Sequence, residues 1–250
     1  MQAYWTLTRR ELAAFFLSMT GYIIIAAALF LLGISFLDLI RGIQDRPQPM
    51  PVTEIFFKTW YFWLILLLTT PVITMRLFSL EKFTGTFETL MTTPVSEFQV
   101  VAAKFSAGLI CYILMWLPLL GCLFVVRHFS SSGAALDAGA VGGTFLGIVL
   151  LGSVFIALGC CASALTRSQV AAAMLSLAFG TTLFFVALLA VKAGEQATFE
   201  GKLLSCLALT DQMHAFACGV VDTRAVVLCV TLSLFLLFVT LRIVESRRWR

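Results

Sequence analysis

The feature that most limits this chain is a set of six apolar runs, each long enough to cross the roughly 30 Å hydrocarbon core of a bilayer as a helix of about 20 residues. They fall near Gly21 to Ile40, Trp60 to Phe78, Phe105 to Val126, Gly139 to Leu165, Val170 to Val191 and Ala225 to Val244. In lipid every backbone N–H and C=O must find its partner inside the protein, so runs of this length fold as helices. Composition agrees, with 60% of the 250 residues hydrophobic, 12% charged and a mean hydropathy of +1.00. A soluble globule of this mass has to show water far more charge. The expected fold is therefore an all-α polytopic membrane protein, one domain over residues 1–250, with six transmembrane helices.

Lysine and arginine set the expected orientation. With both termini cytoplasmic, that side holds Arg9, Arg10, Arg76, Lys82, Lys104, Arg167, Arg242, Arg247, Arg248 and Arg250, and the far side holds Arg41, Arg46, Lys58, Arg127, Lys192, Lys202 and Arg224. The bias is modest and concentrated at the chain ends, and it favours both termini inside. The closing ESRRWR is a basic juxtamembrane tail with one interfacial tryptophan, and the net charge of +4 suits an anionic inner leaflet. Residues 1–20 are read as a retained interfacial helix, because the apolar run behind them is too long and continuous for a cleavable signal. Tyr4, Trp5, Thr8, Leu12, Phe15, Phe16 and Met19 share one helical face, with Thr6, Arg9, Arg10 and Ala13 opposite. One long helix with an aromatic-rich start is the alternative.

Only residues 76–104, RLFSLEKFTGTFETLMTTPVSEFQVVAAK, have a distinctly mixed character between two apolar runs. At about 100° per residue, Leu80, Phe83, Phe87, Leu90 and Met91 fall on one face, and Glu81, Lys82, Thr84, Gly85, Glu88 and Thr89 on the other. That pattern predicts an amphipathic helix along the membrane surface. Thr93 with Pro94, or alternatively Ser96 with Gln99, then starts a second helix that runs into the third span.

Elsewhere the signals are structural. The 41–59 loop holds three of the six prolines and is not helical through its centre, while Pro71 and Pro118 bend the second and third spans. Small-xxx-small spacing at Gly143 and Gly147, followed by an alanine run at Ala171 to Ala173, predicts a tight hairpin of the fourth and fifth spans, turning at Thr166 to Gln169, with a dimerisation or substrate role as the alternative. Residues 192–224 form an outer loop. There Thr198 to Leu209 is too short to cross, Asp211 caps a second short helix, Gly219 ends it, and Asp222 caps the last span. Paired re-entrant helices and paired surface helices both fit.

Chemical machinery is missing. The chain has no phosphate-binding G-x-x-x-x-G-K-[ST] loop, no H-E-x-x-H, no G-x-S-x-G and no C-x-x-C. His128 and His214 sit near span ends and read as interfacial residues. The spans are nearly free of charge at mid-depth, and Asp38, the nearest candidate, belongs at the headgroups, so an ion-coupled carrier lacks its ion site. Cys111, Cys122, Cys160, Cys161 and Cys229 act as small apolar residues, whereas Cys206 and Cys218 lie where an oxidising space permits a bridge without requiring one.

The run TMRLFSLEKFTGTFETLMTTPVSEFQVVAAKF resembles the signature region of type-2 ATP-binding-cassette (ABC) exporter permeases. In those proteins an E-(x)-x-x-G-T-x-E-x-L-x-x-x-P pattern follows the second span, filled here by Glu81, Gly85, Thr86, Glu88, Leu90 and Pro94. The segment HAFACGVVDTRAVV and the ending ESRRWR are similar to the gliding-motility-type branch. Phe216, Gly219, Asp222 and Arg224 would form its outer re-entrant turn, with Cys218 where that branch has arginine.

The resemblance implies a non-catalytic permease subunit of the bacterial cytoplasmic membrane. It implies an interfacial first helix carrying Arg9 and Arg10, a coupling helix, and paired re-entrant helices before the sixth span. It also implies a second permease subunit, identical or paralogous, and a separate cytoplasmic ABC ATPase subunit that would bind ATP and magnesium, leaving this chain without a cofactor. Glu81, Lys82, Gly85, Thr86, Glu88, Thr89 and Pro94 would couple to the ATPase, while Phe83, Phe87 and Leu90 would anchor the coupling helix to the permease. An ATP-driven envelope machine without cargo, served by a periplasm-facing auxiliary subunit, is the alternative. An intramembrane enzyme or ion-coupled carrier is disfavoured by the missing polar groups.

Overall fold

A chain this apolar satisfies its backbone by coiling on itself, and helices are the only regular structure among the described residues. The computed structural model describes residues 2–45, 53, 56–57, 60–86, 96–129, 138–194 and 208–248. The helices are α1 (Gln2–Phe16), α2 (Met19–Asp45), α3 (Tyr61–Thr74), α4 (Ser79–Thr84), α5 (Glu97–Trp116), α6 (Pro118–Phe129), α7 (Ala138–Leu165), α8 (Gln169–Gly194), α9 (Leu209–Ala217) and α10 (Thr223–Arg248).

Six stretches are long and apolar enough to cross a membrane: Met19–Arg41, Tyr61–Thr84, Glu97–Val126, Gly139–Leu165, Gln169–Val191 and Thr223–Ser246. Each overlaps one predicted span, and the chain is a multi-pass, all-α membrane protein. The second stretch combines α3, a turn over 75–78 and α4. The third breaks at Leu117, where Pro118 takes the first position of α6 and needs no N–H partner.

The bundle is built around α7. In its most apolar stretch 78% of the residues are buried, against 17% for α10, and α3, α5, α8, α9 and α10 all pack on it. The glycines of α7 explain how so many neighbours fit. A Cβ at Gly143 would lie 2.5 Å from the Phe216 carbonyl oxygen, and one at Gly147 would lie 2.7 Å from Met213 Sδ, so both glycines seat α9. Gly152 receives the Tyr112 ring of α5, and Gly159 receives Thr74 of α3. The predicted hairpin of the fourth and fifth spans exists as α7 and α8, which pack together, but Gly143 and Gly147 serve α9 instead. Small-residue spacing licenses close approach without choosing the partner.

The chain breaks after α1, so the first span is not one long helix. Ser18 Oγ accepts from the Gly21 N–H at 3.2 Å, and α1 folds onto α5, where Tyr4 Oη and Ser106 Oγ lie 2.7 Å apart. At the other end of the bundle, α9 buries Leu209, Met213, Phe216 and Ala217, one helical stripe, and exposes Asp211 and His214. Asp211 is not its cap. Ala208 holds that position without a side-chain bond, and Asp211 lies in the first turn, where a carboxylate suits the positive end of the helix dipole. Gly219 (φ 81°) ends the helix in a Schellman arrangement: its N–H donates to Phe216 O, and Val220 N–H donates to Ala215 O. Asp222 Oδ1 accepts from Arg224 N–H at 2.9 Å and so caps α10. The rest of the predicted short helix Thr198 to Leu209, most of the 41–59 loop and Cys206 lie outside the described residues.

Candidate functional site

The site of interest is α4, the short helix that opens the mixed segment. It follows a stiff approach. Thr69, Thr70 and Thr74 of α3 donate their hydroxyls to the carbonyls of Ile65, Leu66 and Thr70, and the fully buried Phe78 then pins the turn. A helix start leaves N–H groups without intrahelical partners. Phe78, the N-cap of α4, cannot supply one, so the need is met from another helix. Ser163 Oγ of α7 accepts from Phe78 N–H and Ser79 N–H, both at 3.1 Å, and donates to Met75 O. In return Lys82 Nζ donates to the Ala164 carbonyl, one of the orphan acceptors at the C-terminal end of α7. The two helices thus cap each other. Arg76 adds a third tie, donating to Ser18 and Thr20 at the α1–α2 junction.

Glu81 carries the electrostatics. Its Oε1 lies 2.8 Å from Arg10 Nη2 and 3.0 Å from Lys104 Nζ, and the same two cations contact Glu11 Oε1 at 3.1 and 3.0 Å. Two anions and two cations drawn from α1, α4 and α5 form a balanced, largely enclosed cluster. The Lys104 side chain is 3% exposed and Glu81 13%, while Arg10 forms the wet edge. Lys104 Nζ also lies 5.4 Å from the centroid of the Phe78 ring, within cation–π range. Partial burial disfavours the Arg10 charge, but the Glu11 and Glu81 carboxylates outweigh it and hold the guanidinium pKa above its ordinary value.

This arrangement reverses the roles expected of Glu81 and Phe83. Glu81, expected to meet a partner protein, points into the chain, and Phe83, expected to hold the helix to the chain, is 76% exposed. Two residues apart on a helix is about 200° of rotation, so once Glu81 and the Ser163 cap set the phase, Phe83 must face away. Thr84, Gly85 and Thr86 are exposed beside it. Gly85 (φ 75°) takes the left-handed conformation that ends α4, a role glycine fills at low cost.

Of the other residues read from the sequence, Arg9 is exposed on α1, and Phe87, Glu88, Thr89, Leu90, Met91, Thr93 and Pro94 lie outside the described residues. Ser96, the alternative start, is the N-cap of α5 and accepts from Gln99 N–H at 3.4 Å. Phe216 and Gly219 belong to the far end of the bundle, packed against Gly143, Gly147 and Ala140, with Asp222 and Arg224 exposed beyond them. They are not brought to α4.

Sequence reasoning missed Glu11, Lys104 and Ser163 as members of this site. A signal existed for Lys104, a lone charge in VVAAKFSAGL two turns inside α5, because such a charge demands a partner. Nothing local marks Ser163, whose bonds reach back 84 and 85 residues. The assembly is mechanical in character: a short helix with an exposed tip and a root locked to α1, α5 and α7. Among the described residues no group of three His, Cys, Asp or Glu side chains is placed to hold a metal ion.

No curated protein is similar enough to the chain to match it. Residues 36–244, which take in α4, the whole of α7 and the turn between α9 and α10, match the family described as ABC-2 family transporter protein, and the chain belongs to that family.

Proposed function

We propose that this chain is the permease subunit of an ATP-driven exporter and that a separate cytoplasmic ABC ATPase docks on the exposed tip of α4, Phe83 to Thr86. Membership of the ABC-2 family supports such a partner. The observation that carries the reading is the contrast within α4, whose tip is exposed while its root is clamped to three helices. A push on a loose loop would dissipate. A push on α4 instead passes through Ser163 and Lys82 to α7, and through Glu81 to α1 and α5, so ATP-driven closure of the partner moves the bundle as connected bodies.

In this reading Phe83 fills a pocket on the ATPase, Thr84, Gly85 and Thr86 supply polar and backbone contacts, and Glu88, Thr89 and Pro94 continue the coupling segment. ATP and magnesium sit on the partner. Both termini are cytoplasmic, the membrane is the bacterial inner membrane, and a second permease subunit, a copy or a paralogue, completes the pathway. The turn at Phe216, Gly219, Asp222 and Arg224 supports a place in the gliding-motility-type branch. A cargo-free envelope machine with a periplasm-facing auxiliary subunit is the competing reading, and nucleotide-dependent flux in liposomes separates the two.

The docking test is Phe83→Asp. Because Phe83 is exposed, the variant should melt with wild type. We expect at least about a tenfold loss of co-purifying ATPase, the scale set by losing one aromatic hot spot. Undiminished co-purification and hydrolysis would refute docking at this tip.

A further inference from the structure

At the end of the bundle opposite α4, three helices line a half-open cavity of about 310 Å³, at the small end of the roughly 300–1,000 Å³ typical of small-molecule sites. Each helix contributes a pair at helical spacing: Trp60 and Trp63 at the start of α3, Phe184 and Leu188 from α8, Asp211 and His214 from α9. Phe57 closes the wall, and the Trp63 and Phe184 rings lie 5.0 Å apart. Trp60, at the mouth, stacks on Tyr61, whose hydroxyl donates to Asp38 at 2.8 Å and holds that rim in place. A belt of interfacial aromatics faces outward to lipid. Here Phe57 and Trp63 are buried in the wall of the cavity, and Trp60 and Asp211 are exposed at its open edge.

We infer that this cavity binds an organic cation bearing a methylated ammonium group. Among the described residues no cationic side chain pairs with Asp211, so its charge, favoured by the first turn of α9, is available to a ligand. The donor set selects the kind of cation. A hard metal ion takes about six or more oxygen ligands, whereas the described lining residues offer the side-chain oxygens of Asp211 and Thr210. A primary ammonium carries three N–H donors that need acceptors, and six of the nine lining residues, Phe57, Trp60, Trp63, Phe184, Leu188 and Met213, are apolar or aromatic. A quaternary ammonium has no N–H to satisfy, spreads its charge over methyl groups, and is the cation that aromatic cages hold. Such a group reaches the site on a phospholipid headgroup or as a free solute. The inference does not depend on the ATPase partner.

The experiment titrates choline chloride into the purified full-length protein in detergent and reads tryptophan fluorescence, with sodium chloride and ammonium chloride at equal ionic strength as controls. A saturable change with choline alone is expected. Asp211→Asn should weaken it about tenfold and Trp60→Leu should reduce its amplitude, both with melting temperatures within about 3 °C of wild type, since both side chains are exposed. Repeating the titration in phosphatidylcholine and phosphatidylglycerol nanodiscs names the source. Weaker apparent choline binding in phosphatidylcholine identifies the lipid headgroup, and equal binding identifies the free solute; either supports the site. An identical response to sodium chloride, or an unchanged choline affinity in Asp211→Asn, overturns it.

Discussion

Replacing Lys104 with methionine isolates what holds α4 in place. Lys104 Nζ lies 3.0 Å from Glu11 Oε1 and 3.0 Å from Glu81 Oε1, with its side chain 3% exposed. At an effective dielectric of about 20, each contact supplies about 5 kcal/mol of attraction, most of which offsets the desolvation of the cluster. Methionine keeps the apolar stem and leaves two carboxylates facing one guanidinium. Removing one member of a buried pair costs about 3–5 kcal/mol. Arg10 remains 2.8 Å from Glu81 and is 54% exposed, so water and its charge relieve part of the loss. The low end, about 3 kcal/mol, is expected. For a chain of this length that lowers the melting temperature by about 6–12 °C, read by tryptophan fluorescence in detergent. The double variant Lys104→Met with Glu81→Gln restores charge balance, leaving Arg10 with Glu11, and should melt above Lys104→Met alone. A shift under about 2 °C for Lys104→Met, or additive losses in the double variant, would refute the reasoning.

Three further outcomes follow from the same structure. Ser163→Ala removes the acceptor shared by Phe78 N–H and Ser79 N–H, and should cost about 2 kcal/mol and speed amide hydrogen exchange across 78–84. Gly143→Ala should cost about 1–3 kcal/mol and loosen α9, because its methyl would meet the Phe216 carbonyl, whereas Gly142→Ala, with open space around it, should be neutral or slightly stabilising in the same melting assay. Gly85→Ala places a side chain at φ 75° and should lower stability by about 1 kcal/mol, measured by thermal unfolding.

Six spans were legible in the sequence because partition into lipid is settled residue by residue along a run and needs no knowledge of neighbours. The local punctuation was legible for the same reason: Ser96 and Asp222 cap helices through atoms two or three residues away, and Gly219 ends α9 through its own φ. Asp211 was misread as a cap because an acidic residue is equally at home in a first turn. The phase of α4 was decided only in three dimensions. An amphipathic pattern separates Glu81 from Phe83 but does not say which side faces the protein, since at a membrane surface either face can find a suitable neighbour. The choice fell to Ser163, Lys104 and Glu11, residues remote in sequence whose unmet hydrogen bonds and charges could be satisfied together only with Glu81 turned inward. The partner of Gly143 and Gly147 was likewise a tertiary decision, because a groove of small residues accepts whichever helix the rest of the bundle delivers to it.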